Sequence, residues 1–181
     1  NISAQFLIGY MDDEGLGLEK DGLTPRTRDR TSAAHWYLKA ARLGQPCAQH
    51  GLAVCLFYGD GIAEDKEGSV KWDKLSAAQG NAQAQYALGV CYDNGEGVDQ
   101  PDENLAFNYY KLAADQNYAL AQFTLGQCYE YGSGTTEDVK EALRLYSAAA
   151  DQGIMDAKDS LLELGSSVAK ATACATTVEI C

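Results

Sequence analysis

Apolar residues along this chain recur at helical spacing in short blocks, and each block is closed by glycine. Between Ala84 and Gly97, the residues Ala84, Leu88, Cys91 and Tyr92 fall at i, i+4, i+7 and i+8, one stripe of a helix. Gly95 and Gly97 follow, and because glycine enters positive φ at little cost they stop the helix and turn the chain. The same block returns 37 residues later as Ala121 to Gly134, with looser copies starting at Ala4 and Ala48 and a half copy at Ala157. The spacings are 44, 36, 37 and 36 residues, so the chain is an array of one unit.

The second half of each unit also repeats. Ala34–Ala41 aligns with Val70–Ala77, Phe107–Ala114 and Leu143–Ala150, predicting a second short helix whose inward stripe reads, in the third unit, Leu105, Tyr109, Leu112 and Ala113. Gln79-Gly80, Gln116-Asn117 and Gln152-Gly153 give these helices their C-terminal stops. Gly9, Ala53, Gly89 and Gly126 share one mid-helix register, expected opposite Ala41, Ala77 and Ala114. A mid-helix glycine costs about 1 kcal/mol against alanine, so its recurrence predicts a close approach between the paired helices.

The pattern Ala-Gln-x-x-Leu-Gly-x-x-Tyr-x-x-Gly-x-Gly, followed by Tyr-x-Lys-x-Ala-Ala-x-Gln-Gly, resembles the Sel1-like repeat family over roughly residues 3 to 165. The resemblance implies an all-α fold, a right-handed α-solenoid of about four antiparallel helix pairs with a terminal capping helix. It also implies a protein that holds other proteins together. The expected units are 3–46, 47–82, 83–119 and 120–155, with a half unit at 156–165 and a non-repeat tail at 166–181. The first unit departs by about eight extra residues between Gly17 and Ser32, including Arg26 to Arg30, and insertions in repeat proteins fall in loops. In the half unit Leu162 stands at the glycine register, with Lys158 and Glu163 on the outer side, as suits a cap. The tail is poor in large apolar residues and is expected to fray unless something orders it.

Composition narrows the function. The chain holds 14 Lys and Arg against 26 Asp and Glu, a net charge of −12, which disfavours nucleic acid and anionic membrane surfaces because both need basic footprints. Most of the acid lies between helices and reads as a solvated face. No run of about 18 apolar residues spans a bilayer. The chain starts at Asn1, as a processed product or a piece of a longer protein would. Cys55, Cys91 and Cys128 share the register that Met11 holds in the first unit, which predicts small buried hydrophobes. Stacked units about 10 Å apart hold those Cα atoms beyond disulfide reach. The family's clip of two cysteines eight residues apart is absent, since the position eight before Cys47 is Lys39. A reducing compartment is therefore favoured, cytoplasmic or the interior of an organelle, with Cys174 and Cys181 in the tail as the remaining pair.

Catalytic signatures are missing: there is no phosphate loop, no Gly-x-Ser-x-Gly elbow, no His-Glu-x-x-His. His35 and His50 have no metal-ligand spacing around them, and Asp93 to Asp99 lacks the ligand spacing of a calcium loop. Neither a cofactor nor a metal is expected. Projection at 100° per residue leaves one face of the first helices opposite the core stripe, the concave side of the implied solenoid. It carries Phe6, Tyr10 and Asp13; His50, Val54, Phe57 and Tyr58; Tyr86, Val90, Asp93 and Asn94; Phe123, Gln127, Glu130 and Tyr131. Such a Tyr- and Phe-rich surface suits capture of a peptide or helix. Phe6, Tyr86 and Phe123 belong to the family pattern, and packing between units is an equal account of them. The expectation is a non-catalytic scaffold or adaptor for a protein or peptide. The alternatives are a structural subunit of a larger, hetero-oligomeric, organellar or membrane-associated assembly and, in another class, a hydrolase with an unrecognised site.

Overall fold

The computed structural model describes residues 2–16 and 27–178. Among them every regular element is an α-helix. The chain divides into two compact units, Asn1–Asp102 and Glu103–Cys181. The first holds α1 (Ile2–Glu14), α2 (Arg30–Arg42), α3 (Pro46–Tyr58), α4 (Lys66–Ala77) and α5 (Ala82–Asn94), and the second holds α6 (Glu103–Asp115), α7 (Ala119–Tyr131), α8 (Val139–Asp151) and α9 (Met155–Val178). The expected all-α fold of paired helices is what is observed.

Helix ends follow local chemistry. Asp29, Asp65 and Asp138 cap α2, α4 and α8, each accepting a hydrogen bond from the amide three residues on, while Asn81 does the same for α5; each such cap is worth about 1 kcal/mol. Helices α3, α5 and α7 end at Gly59, Gly95 and Gly132, all in the left-handed region near φ +70. The second glycine of each Gly-x-Gly does something else. Gly61, Gly97 and Gly134 lie against the backbone carbonyls of Arg30, Lys66 and Glu103, the first residues of α2, α4 and α6, with no room for a Cβ. The side chain between the glycines adds a bond in two cases, since Asp60 pairs with Arg30 and Glu96 with Lys66. These three Gly-x-Gly pairs therefore clasp the preceding repeat as well as ending a helix.

The core is small-residue rich. Ala48, Leu52 and Cys55 of α3 pack with Ala33, Tyr37 and Ala40 of α2, and Ala149, Ala150 and Ala157 close the far end under Phe123. Two glutamines near the starts of first helices are buried and bonded: Gln79 Nε2 donates to Gln49 Oε1 at 2.8 Å and Gln152 Nε2 to Gln122 Oε1 at 2.7 Å, so first and second helices of one repeat are tied at that end.

Two expectations need correction. The inward stripe of α6 is Ala106, Tyr110, Ala113 and Ala114; Leu112 is 50 % exposed, and Leu105 and Tyr109 are half-buried. Three of the four buried positions are alanine, so small size rather than hydrophobicity marks the inward side. Gly9 and Gly126, in turn, face rings rather than alanines. A Cβ on Gly126 would lie 2.7 Å from Tyr146 Cε1, and one on Gly9 would lie 3.0 Å from the Tyr37 ring. These glycines are seats for aromatic rings. The insertion at 17–26 lies outside the described residues, as does the proposed Cys174–Cys181 pair. Helix α9 runs on through residue 165, where a boundary between half unit and tail was expected, to Val178.

Candidate functional site

Two first helices, α1 and α7, present three recurring positions around a tyrosine of the second helix, making a block of four. In the first repeat they are Phe6, Gly9 and Asp13 around Tyr37; in the fourth, Phe123, Gly126 and Glu130 around Tyr146. The phenylalanine ring lies 6.0 Å from Tyr37 and 5.7 Å from Tyr146 in the two cases, within the range of favourable aromatic pairs. The tyrosine hydroxyl donates to the acid, at 3.4 Å to Asp13 and 2.5 Å to Glu130. Burial first, then the charge of Asp13, push the Tyr37 phenol well above its ordinary range, and burial followed by the hydrogen bond to Glu130 does the same for Tyr146. Phe6, Phe123, Asp13 and Glu130 thus do packing work between the helices of a repeat, in addition to any role on the surface.

The second repeat replaces all four positions together: His50 for the phenylalanine, Ala53 for the glycine, Phe57 for the acid and Asp73 for the tyrosine. His50 Nδ1 and Asp73 Oδ1 are 2.8 Å apart, and Asp73 is only 3 % exposed. Burial raises the Asp73 carboxyl and the histidine partner opposes that rise. This buried polar pair was missed in the sequence, where His50 read as a lone residue; the signal was the simultaneous change at four fixed offsets.

The remaining positions on this face divide by exposure. Tyr58 and Tyr131 stand at one offset and are each 68 % exposed. Tyr10, Val54, Asp93 and Asn94 are also exposed, whereas His50, Phe57, Tyr86, Val90, Phe123, Gln127 and Glu130 are half-buried. Phe57 and Tyr58 meet edge to face at 5.0 Å. Glu130 raises the Tyr131 phenol by its charge. Within the first unit the structure places Tyr10, Val54, Tyr58, Asp93 and Asn94 on outward sides of α1, α3 and α5; in the second, Tyr131 lies at the end of α7. Cys55, Cys91 and Cys128 are buried free thiols, as their register predicted, and Cys47 is exposed. Burial pushes Cys55 and Cys91 up to about 11.

Two hollows lie away from this face. One, of about 400 Å³, is lined by Lys71, Lys74, Tyr92 and Asp102 in the first unit, and one of about 270 Å³ by Lys111, Tyr129, Glu141 and Arg144 in the second. Lys74 and Lys111 share a repeat register, as do Tyr92 and Tyr129, so the hollows are features of the repeat. In the second, Arg144 forks onto Glu141 at 2.6 and 2.9 Å and holds its carboxyl below the usual range, while desolvation lifts the Tyr129 phenol. Both directions are opposite to what a general acid and a nucleophile need at neutral pH. Among the described residues no group of three or more His, Cys, Asp or Glu could hold a metal, and no helix is long and apolar enough to cross a membrane.

The Sel1 repeat family model matches residues 2–45, 48–81, 82–118 and 119–154. The chain belongs to the Sel1 repeat family. Among solved structures, a protective antigen with this fold from uropathogenic Escherichia coli is 33% identical with a TM-score of 0.77, over 87% of this chain and 32% of that one. A Sel1 repeat protein from Oxalobacter formigenes is 31% identical with a TM-score of 0.76, over 90% of this chain and 63% of that one. Cysteine rich protein B of Helicobacter pylori, at 23% identity and a TM-score of 0.58 over 73% of this chain and 94% of that one, shares the fold. The chain thus spans about a third of the length of the first structure and under two thirds of the second. A search of curated proteins finds no match. The matched segments take in, in turn, α1 with α2, α3 with α4, α5 with α6, and α7 with α8. Sel1 repeats commonly serve as protein-interaction scaffolds and are typically non-enzymatic.

Proposed function

We infer that this Sel1 repeat chain is a non-catalytic scaffold that binds a segment of a partner protein on the outward side of its first helices. The observation that carries this is the pair Tyr58 and Tyr131. Each ends a first helix at the same repeat offset, each is 68 % exposed, and the residue at that offset in the third repeat is Asn94, so the fold does not require an aromatic there. Large exposed tyrosines cost little conformational entropy to immobilise and dominate many binding surfaces. The half-buried Phe6 and Phe123 are accounted for by packing, which leaves Tyr10, Val54 and Tyr58 in the first unit, and Tyr131 in the second, as exposed side chains of the first helices. A buried structural subunit is the second reading, favoured by the 24-residue α9, which is almost twice the 13 residues of α7.

The test combines affinity capture, identification of the partner by mass spectrometry and titration with the purified partner. Tyr58→Ala and Tyr131→Ala should each weaken binding by about 1–3 kcal/mol with unchanged thermal midpoints. If both bind like the parent while removal of residues 166–181 abolishes the complex, the subunit reading replaces the scaffold reading.

A further inference from the structure

Helices α1, α3, α5 and α7 contain no Lys or Arg, although the chain has 14. The cations fall in the second helices, the loops and α9. Acid is not excluded in the same way: Asp13 and Asp93 stand at one repeat offset on α1 and α5. Cations at the rim of the first unit's face are already engaged, Arg28 with Glu14 at 3.2 Å, Arg30 with Asp60, and Lys66 with Glu96 at 2.8 Å. Between them the first unit presents exposed Tyr10, Val54, Tyr58 and Asp93, and no positive charge from the first helices themselves. Tyrosine faces attract cations, more strongly as the site desolvates. The rim supplies an example, since Lys66 Nζ lies 5.0 Å from the centroid of the Phe57 ring.

Resting on the scaffold reading above, we propose that the first-helix face of the first unit docks a cationic segment of a partner protein. Its Lys or Arg side chains meet Tyr58 and Asp93, and an intervening aliphatic residue meets Val54. The chemistry that selects the partner is positive charge interleaved with apolar side chains. An acidic or neutral amphipathic segment would find the same apolar anchors and lose the charge term, which acts mainly on specificity and association rate.

The test uses the whole chain and two synthetic twelve-residue peptides that differ only in carrying four Lys or four Glu. Fluorescence anisotropy is read at low and at near-physiological salt, where the Debye length is about 8 Å and diffuse attraction fades. The Lys peptide should bind at least about 10-fold tighter than the Glu peptide. Two variants of equal net-charge change separate a local site from the overall charge: Asp93→Lys with Asn94→Lys on the face, and Asp99→Lys with Gln100→Lys in the exposed loop beyond it. The face variant should lose most of the Lys-peptide binding while the loop variant stays within about 2-fold of the parent at near-physiological salt. Equal losses from both variants would overturn the proposal in favour of diffuse attraction. Equal binding of both peptides, weakened for both by Tyr58→Ala, would overturn the charge selection and leave the scaffold face standing. No binding, or binding untouched by Tyr58→Ala, would overturn both.

Discussion

Replacing Gly126 by alanine tests whether the mid-helix glycine is a seat for a ring. Alone in a helix, Gly→Ala stabilises by about 1 kcal/mol. Here the new Cβ would stand 2.7 and 2.8 Å from Tyr146 Cε1 and Cδ1, where carbon atoms prefer about 3.5–4.0 Å, so the ring has to retreat by about 1 Å. It has little freedom to do so: Tyr146 is fully buried and its hydroxyl is held by Glu130 at 2.5 Å. Overpacking of this kind costs about 1–3 kcal/mol, and the tether places Gly126→Ala toward the upper end, for a net destabilisation of about 1–2 kcal/mol. In a Tyr146→Ala background the ring is gone, and the same Gly126→Ala change should stabilise by about 1 kcal/mol. The effect reverses sign, giving a coupling energy of about 2–3 kcal/mol in a double-mutant cycle. Gly165 supplies the control, since a Cβ there meets nothing within 4 Å and Gly165→Ala should stabilise in either background. Urea denaturation followed by helical circular dichroism, with the m-value checked for constancy, measures all of these. Should Gly126→Ala stabilise the otherwise native protein as Gly165→Ala does, the ring-seat account is wrong.

The clasp between repeats predicts that Gly97→Ala costs at least about 2 kcal/mol more than Gly80→Ala: both glycines have positive φ, at +68 and +87, and pay the same left-handed penalty of about 1–2 kcal/mol, but only Gly97 abuts the Lys66 carbonyl; equal denaturation midpoints would remove the clasp. The thiols of Cys55 and Cys91 are raised from 9.0 to about 11 by burial, with acid neighbours adding to it; the folded state therefore keeps protons that the unfolded state releases. That contribution is intact below about pH 9 and is lost as pH rises toward 11, so midpoints should fall across this window, and less steeply in Cys55→Ala with Cys91→Ala. Exposed Cys47 should meanwhile label rapidly with a thiol reagent at pH 8, and rapid labelling of Cys91 in the native state would contradict its burial. His50→Ala leaves the buried Asp73 carboxylate without its 2.8 Å partner and should cost about 3 kcal/mol; adding Asp73→Ala should recover part of that loss, and purely additive effects in the melts would refute the pairing.

Much of the fold was legible because the repeat writes each constraint several times. Glycines at the ends of α3, α5 and α7, alanines inside them and cysteines in one register could be read without a structure, since helix punctuation and small-residue burial are local properties. The facing of the second helix was not. Leu105, Tyr109 and Leu112 form a respectable apolar stripe, yet Ala106, Tyr110, Ala113 and Ala114 are the buried positions. Which side of a helix is buried depends on what packs against it and is invisible to a periodicity taken one helix at a time. Exposure sorts the residues of the projected face. Tyr58 and Tyr131 stand out because each remains 68 % exposed, whereas Phe123 and Glu130 satisfied the same angular projection and turned out to contact Tyr146. Angle alone cannot separate a surface residue from one that leans back over its neighbour. The His50–Asp73 pair escaped because each member looked unremarkable at its own position; only the four substitutions taken together mark it.

That block of four positions also limits how such an array can be reshuffled during evolution. A crossover that joined the first helix of the second repeat to the second helix of the fourth would bring Ala53 and Phe57 against Tyr146, with a Cβ where the ring must sit and no carboxylate for its hydroxyl. The reverse exchange would set Gly126 and Glu130 beside Asp73, leaving a void and two acids in one interior. Either hybrid carries the full repeat signature and would still pack badly. Recombination is thus tolerated between complete helix pairs and penalised within them, so the heritable module in this lineage is the hairpin rather than the helix.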